Sequence, residues 1–470
     1  MSEFNLSRRS FFGSMGMGAL GAMLPQNLVA AGGAKGLHHK PKAKRVIMLF
    51  MAGGQSQLDL FDYKPNLHKL AGQELPPSVI GNQRFTAMTK NAKKVVAPSK
   101  YNFKRYGSNG IFMSERLSHL GGVMDDLCLV KSLYTESINH DPGKTMFCTG
   151  TELPGNPSMG SWLSYGLGTM NKDLPDFIVL PSAYWSGKTN VQALYSRLWG
   201  SGCLPSKHQG TSFQSKGDPV LFLSNPHGVS SSIRRRMLNT VGKLNKKHFN
   251  ELHDPEIQTT IAQQEMAYRM QTSVPDLTDI SKESKATLDL YGPEVMNQGS
   301  YARNCLLARR MAERDVRFIQ LFHRGWDHHS NLPTHMDGQC RDVDQPTAGL
   351  IKDLKQRGLL EDTLVVMVGE FGRTCYGQGN ITKDKYGRDH HPRCFSTLLA
   401  GGGIQGGIEY GQTDDFSYNI VDKPVHVRDL HATMLWQLGL DHNQLTFPFQ
   451  GLDVKLTGVN PAEVVQGILS

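Results

Sequence analysis

The residues best suited to chemistry gather in three short polar runs, each beside an apolar run. His323-Arg324-Gly325-Trp326-Asp327-His328-His329 continues from the apolar residues 316–322. Gly369-Glu370-Phe371-Gly372-Arg373-Thr374 continues from residues 363–368, and Arg388-Asp389-His390-His391-Pro392 precedes the apolar residues 395–400. Carboxylates and imidazoles collected from several chain segments are the donors that a divalent transition metal takes. A single His-His pair is more often structural or solvent-exposed. Three such runs, each at a strand boundary, point to a metal site or a polar active site.

Two further segments share this placement. Gly53-Gly54-Gln55-Ser56-Gln57-Leu58-Asp59-Leu60-Phe61-Asp62 follows the first apolar run. Its glycines let backbone approach a ligand, and Ser56, Asp59 and Asp62 can face the same edge; the plain alternative is a tight turn and a helix cap. His140-Asp141-Pro142-Gly143-Lys144-Thr145-Met146-Phe147-Cys148-Thr149-Gly150 sits between a strand and a helix. A helix N-terminus with Lys144 nearby suits an anion, though it also reads as a capped helix start.

These residues need a scaffold that brings distant segments to one edge. Residues 45–52 form a continuous apolar run, the pattern of a strand buried on both faces of a parallel sheet. Further strands are expected at 127–130, 177–181, 316–322, 363–368 and 395–400, with helices near 116–123, 301–314, 347–357 and 427–438. The alternation predicts an α/β fold: a central, mostly parallel sheet with helices on both faces and ligands at its carboxyl edge. Residues 182–224, rich in Ser, Gly, Trp and Pro, predict an irregular insertion, and 231–272 a polar helical surface, so the insertion runs from about 182 to 300. Trp185, Tyr195 and Trp199 would meet substrate if this insertion is a lid; otherwise they pack the loop.

Composition narrows the class. The 470 residues are 39% hydrophobic and 20% charged, which fits a globular chain and excludes a disordered one. The formal net charge is +9, concentrated at 38–45 and at Arg234-Arg235-Arg236 with Lys243, Lys246 and Lys247. Such runs are solvated faces or sites for an anionic surface. No zinc finger or basic region argues for nucleic acid as a partner. The seven cysteines show no C-x-x-C spacing, and a chain of this size needs no disulfide framework.

Ser7-Arg8-Arg9-Ser10-Phe11-Phe12 precedes an apolar, Gly-rich stretch at 13–24 and the small residues of Leu28-Val29-Ala30-Ala31. This is the pattern of a twin-arginine export signal over 1–31, leading to a periplasmic or other extracytoplasmic location. The stretch is too short to span a bilayer of about 30 Å, and no later segment is long enough, so no membrane span is expected in the mature chain. A basic linker at 32–44 then leads into one domain at 45–470. Gly401-Gly402-Gly403-Ile404-Gln405-Gly406 matches G-x-G-x-x-G, but 409–419 lacks helical periodicity, so a dinucleotide is excluded. Ser56, Ser137 and Ser161 lack the G-x-S-x-G elbow.

The order of these pieces resembles the alkaline phosphatase and sulfatase superfamily. Residues 354–363, leading into Val365-Val366-Met367-Val368-Gly369-Glu370-Phe371-Gly372, look like the segment that ends in Asp-His-Gly in sulfatases. Val427-Arg428-Asp429-Leu430-His431-Ala432-Thr433-Met434-Leu435 is similar to the superfamily's closing helix. Gly-Gly-x-Ser-x-x-Asp-x-x-Asp, Asp-x-His, Gly-Glu-Phe-Gly-Arg and Asp-His before a Gly-Gly-Gly strand end resemble one branch in particular. That branch comprises twin-arginine exported, sulfatase-like proteins classed as a domain of unknown function.

The resemblance implies a divalent metal (zinc, manganese or calcium) held by Asp327, His329, Glu370 and His390. Ser56, Asp59, Asp62, His328, Asp389 and His391 are possible additional residues. Phe371 stands where the superfamily has a metal-ligand His, and the Asp that follows the first strand is missing. His140 falls where sulfatases keep the nucleophilic Cys, and Lys144 falls at their Arg. The implied function is an exported metal-dependent hydrolase of phosphate or sulfate esters lacking the usual Ser, Thr or Cys nucleophile. Its substrate would be an anionic small molecule or a glycan ester. Lys144 and Arg373 would steady the anion, and His140 would be a general base, a ligand or a nucleophile. The alternative is a non-catalytic binding or accessory protein that retains the fold.

Overall fold

The computed structural model describes residues 36–470 except 188–190, 216, 221–222, 226, 380 and 383–384. The expected export signal at 1–31 lies outside the described residues. In chain order the principal elements are β1 (Arg45–Ala52), β2 (Leu127–Tyr134), α1 (His140–Thr149), α2 (Met159–Leu167), β3 (Phe177–Pro181) and β4 (Thr211–Ser212). Then come α3 (Ser231–Leu252), α4 (Pro255–Thr278), α5 (Tyr301–Glu313), β5 (Phe318–Arg324), α6 (Leu332–Gln356) and β6 (Thr363–Val368). The chain closes with β7 (Gly372–Gln378), β8 (Gly387–His391), β9 (Phe395–Ala400), β10 (Ile408–Tyr410), β11 (Val425–His426) and α7 (Val427–Gln437).

Nine strands form the central sheet in the order β10-β2-β9-β6-β1-β5-β3-β4, with β11 also beside β2. All its pairings are parallel except those of β9, which runs against both β6 and β2. The pleat explains why the first apolar run has no polar alternation. Ile47, Leu49 and Met51 of β1 enter one core, shared with Cys305 and Leu306 of α5 and with Met336, Cys340 and Leu350 of α6. Val46, Met48, Phe50 and Ala52 enter the other, shared with Phe147 of α1, Trp162 of α2 and Met434 of α7. Each buried Val, Leu, Ile, Phe or Met side chain among these stabilises the fold by roughly 1.5–3 kcal/mol. The central strand is thus committed on both faces, and its ends are left for polar work.

Two expectations change in detail. Helix α6 begins at Leu332, well before the expected 347. Pro346 and Gly338 break its propensity, but Met336, Cys340, Val343, Leu350 and Leu354 are all buried at helical spacing, and that burial overrides the weak residues. The stretch 182–224 is not wholly irregular, because β4 pairs in parallel with β3 at the sheet edge. Trp199 packs its ring 6.0 Å from Phe322, and Trp185 lies under the Arg324 guanidinium at 4.4 Å, so both serve packing. The Gly401-Gly402-Gly403 run leads into β10 and not into a helix, as its sequence predicted.

The polar run before residue 395 belongs to a two-stranded hairpin off the main sheet, β7 against β8, with His390 opposite Arg373. A buried ion pair clamps it to the loop after β1. Arg388 Nε lies 2.7 Å from Asp59 Oδ2 and its Nη2 3.2 Å from Oδ1, with both side chains fully buried. Ser56 Oγ and the Tyr386 hydroxyl donate to the same carboxylate at 2.5 and 3.2 Å. Burial alone would raise the Asp59 pKa, but the Arg388 charge and hydrogen bonds hold it below 3.8.

Removing one partner of such a pair leaves an uncompensated buried charge. Arg388→Met is therefore expected to lower unfolding free energy by about 3–5 kcal/mol in urea titrations near neutral pH. Because the folded Asp59 pKa is depressed, its contribution is present above 3.8 and lost as pH falls through the lower folded value. The variant should lack that part of the acid profile. A loss below about 1 kcal/mol would contradict the clamp.

Candidate metal centre

The register fixes which strand ends meet. Ala52 of β1 lies beside Arg324 of β5, and Phe50 beside Val368 of β6. The three parallel strands therefore release residues 53–54, 325–329 and 369–371 at one carboxyl edge. Close contact there requires glycine. Gly53 has φ +120°, and a Cβ on it would stand 2.6 Å from the Asp327 nitrogen; Gly54, at φ +75°, would place one 2.9 Å from the Phe371 carbonyl. Helix α1 opens on His140, and β8, one strand of the hairpin, carries His390 opposite Arg373 of β7.

Four side chains converge from these elements: His140, Asp327, His329 and His390, with donor atoms all within 4.8 Å of one another. Asp327 Oδ1 is 3.1 Å from His140 Nε2, 2.8 Å from His329 Nε2 and 3.5 Å from His390 Nε2. Each imidazole is held from behind by its other nitrogen. His140 Nδ1 lies 2.7 Å from Glu370 Oε1, His329 Nδ1 2.6 Å from Gln378 Oε1, and His390 Nδ1 2.7 Å from the Ile138 carbonyl. Those acceptors call for a proton on Nδ1, which turns the Nε2 lone pairs inward.

The inward arrangement fits a cation. His329 Nε2 and His390 Nε2 stand 3.1 Å apart, and with both Nδ1 atoms donating outward no proton is left between them. Two lone pairs at that distance repel unless something positive lies between them. Three imidazole nitrogens and one carboxylate oxygen form a donor set suited to a divalent transition ion.

Surrounding groups fix the set. Arg373 Nη2 donates to Asp327 Oδ1 at 2.9 Å, Nε to the Gly54 carbonyl at 3.0 Å and Nη1 to the Arg388 carbonyl at 3.1 Å; Nη2 also meets the Gly53 carbonyl. Both Glu370 oxygens accept the Gly53 N–H, at 3.0 and 3.1 Å. The Phe371 ring packs against His390 and His140, with centroids 4.6 and 5.0 Å apart. Burial would raise the Asp327 pKa, but Arg373 and the three imidazoles hold it far below the usual carboxylate range. For His140 burial acts downward, yet Asp327 and Glu370 together lift it above 6.5. His390, dominated by burial, falls to about 4.

The structure brings Asp327, His329 and His390 together, with His140 beside them. Glu370, expected as a ligand, stands behind His140 and orients it. Arg373, expected to steady an anion, has its donors on backbone carbonyls and Asp327. Lys144 is buried, donates to the Ala193 carbonyl at 2.8 Å, and has its pKa lowered by burial. The remaining candidates lie outside the group. Ser56 and Asp59 belong to the hairpin clamp, and Asp62 pairs with Lys64 at 3.2 Å. Asp389 accepts from Thr86 at 2.5 Å and also from Thr89. His391 bonds the Tyr418 carbonyl at 2.7 Å and stacks on that ring at 4.3 Å, while His328 stacks on His335 at 5.7 Å. Gln378 and the Ile138 carbonyl carried no signal in the sequence, since only the folded hairpin and the start of α1 bring them to imidazoles.

The fold and site define a mostly parallel α/β protein with a candidate metal group at the carboxyl edge of its sheet. Residues 43–469 match the family model described as "Protein of unknown function (DUF1501)", and the chain belongs to that family. Among solved structures it is similar to phosphonate monoester hydrolase SpPMH from Silicibacter pomeroyi, at 12% identity over 73% of this chain and 72% of that one, with a TM-score of 0.32. It is also similar to PsFucS1 sulfatase from Pseudoalteromonas sp., at 12% identity, 85% and 68% coverage and a TM-score of 0.34. A third is the alkaline phosphatase from the Antarctic bacterium TAB5, at 10% identity, 78% and 95% coverage and a TM-score of 0.31. No curated protein matches the chain.

The placement of Glu370 has a measurable consequence. Glu370→Ala removes an acceptor from His140 Nδ1 and from the Gly53 N–H, which should cost about 2–4 kcal/mol of stability. In chelator-treated protein, the imidazole titration of His140 followed by NMR should shift to lower pH, because one of its two carboxylate partners is gone. An unchanged His140 titration would refute the assigned role.

Proposed function

We propose that the protein is an exported, metal-dependent hydrolase of phosphate or sulfate esters that works without a Ser, Thr or Cys nucleophile. The observation that carries this reading is the convergence of three imidazole Nε2 atoms on Asp327 Oδ1, each ring oriented through its Nδ1. His140, Asp327, His329 and His390 would hold the ion. Zinc or manganese suits this nitrogen-rich set better than calcium, which takes roughly six to eight oxygen ligands. A divalent ion there would supply Lewis acidity and an activated water at neutral pH.

The chain's own groups set the conditions for that chemistry. Glu370, Gln378 and the Ile138 carbonyl keep the Nε2 atoms directed inward, and Arg373 fixes the reach of Asp327. Phe371 keeps one wall of the site apolar, which strengthens electrostatic interactions inside. Lys144, one turn along α1 from His140, contributes positive charge for an anionic small molecule or glycan ester. The paired arginines Arg8 and Arg9 ahead of an apolar stretch support export by the twin-arginine route.

A second reading is a non-catalytic binding or accessory protein. It is favoured by the engagement of Arg373 and Lys144 in internal hydrogen bonds and by His140 standing where a nucleophile is expected. Turnover separates the two. With p-nitrophenyl phosphate and p-nitrophenyl sulfate, in zinc or manganese, hydrolysis should fall at least about 100-fold in Asp327→Ala and His329→Ala, with both variants folded. Equal turnover in wild type and variants would refute the hydrolase reading, and saturable ester binding without turnover would establish the second.

A further inference from the structure

Helix α3 presents a surface that the metal centre does not use. It is the outer member of a helical pair: α4 sends Met270, Val274 and Leu277 into the core, while α3, with Leu238 buried, meets α4 through an Arg235–Glu265 ion pair at 2.8 Å and the Arg235 guanidinium over the Tyr268 ring. Away from that contact lies a row of apolar residues left in water. Ile233 is 37% exposed, Met237 49%, Val241 37%, Leu244 55% and Leu252 70%. At 100° per residue they fall within an arc of roughly 100°. Ile233, Met237, Val241 and Leu244 follow one another as an unbroken stripe over three turns, with Leu252 set two turns further on beyond His248 and Glu251.

Charge identifies what the stripe meets. The helix carries six Lys and Arg residues against one Glu. Arg236, Lys243 and Lys247 are exposed and form a row directly beside the apolar stripe, on the side away from α4. Apolar and basic rows adjacent on one exposed helix are what an anionic bilayer surface accepts: the apolar row enters the acyl boundary and the basic row meets lipid phosphates. A second copy of α3 would bring like charges together at close range, which disfavours self-association through this face. None of the described helices is long and apolar enough to cross a membrane, so contact through α3 would be peripheral.

We propose that α3 docks the protein onto membranes rich in anionic phospholipid, lying in the plane of the interface. The test is co-sedimentation of the full chain with vesicles of phosphatidylcholine alone or with about a third phosphatidylglycerol, at low and physiological salt. The apolar stretch at 13–24 is common to every sample, so only differences between proteins are read. Wild type should show binding that depends on phosphatidylglycerol and weakens with salt. Met237→Glu with Val241→Glu and Leu244→Glu should abolish that increment. Arg236→Gln with Lys243→Gln and Lys247→Gln should lower it on the order of 100-fold at low salt, from roughly five-fold per basic residue. Circular dichroism checks that both variants keep the native helix content, as expected for exposed positions.

Unchanged sedimentation of either variant on anionic vesicles would overturn the proposal. So would retention on a sulfated polysaccharide through these residues with no vesicle binding, which would make α3 a polyanion site. Concentration-dependent self-association abolished by the glutamate variant would also overturn it, because a second copy would then cover the stripe.

Discussion

One carboxylate oxygen organises the site. Asp327 Oδ1 is met by Arg373 at 2.9 Å and by imidazole nitrogens from three different parts of the chain. A buried carboxylate is tolerable only when paired and hydrogen-bonded, so the neighbours of Asp327 are a requirement of its burial. Meeting that requirement ties α1, the loop after β5 and the β7/β8 hairpin to one point. With Nδ1 protonated on His329 and His390, the same arrangement leaves their Nε2 lone pairs facing one another, a conflict that a cation would relieve.

The rest of the structure reads as support for that point. Parallel β1, β5 and β6 bring their carboxyl ends together, and the two cores that bury β1 on both faces make this edge rigid. Gly53 and Gly54 allow backbone contacts that a Cβ would block. The Asp59–Arg388 pair holds the hairpin that supplies Arg373, His390 and Gln378. These supports lie outside the donor set, so their loss should disturb the site through geometry more than through chemistry.

Much of the fold was legible because fully buried strands leave continuous apolar runs, as at 45–52 and 363–368. Helix α6 was half legible: its apolar spacing runs from Met336 onward, but Pro346 and Gly338 obscured it. The hairpin was hidden, since Arg388-Asp389-His390-His391 is polar in sequence and yet buried in the fold, where ion pairs and hydroxyls satisfy it. In the site, strand-end placement and the superfamily resemblance picked out Asp327, His329 and His390. Spacing could not separate a side chain that faces into the cluster from one that stands behind it, which is why Glu370 and His140 were hard to tell apart. Asp59, Asp62, Asp389 and His391 lie close in sequence to site residues, but each has a local partner that turns it elsewhere.

The central claim is that these four side chains hold a divalent ion. Elemental analysis of the folded protein, paired with X-ray absorption at the metal edge, tests it most directly. The account predicts about one zinc or manganese ion per chain, with about three imidazole nitrogens and one oxygen from protein, and loss of the ion in Asp327→Ala. A folded protein that takes up no metal, or one that keeps it after Asp327→Ala, would contradict the account.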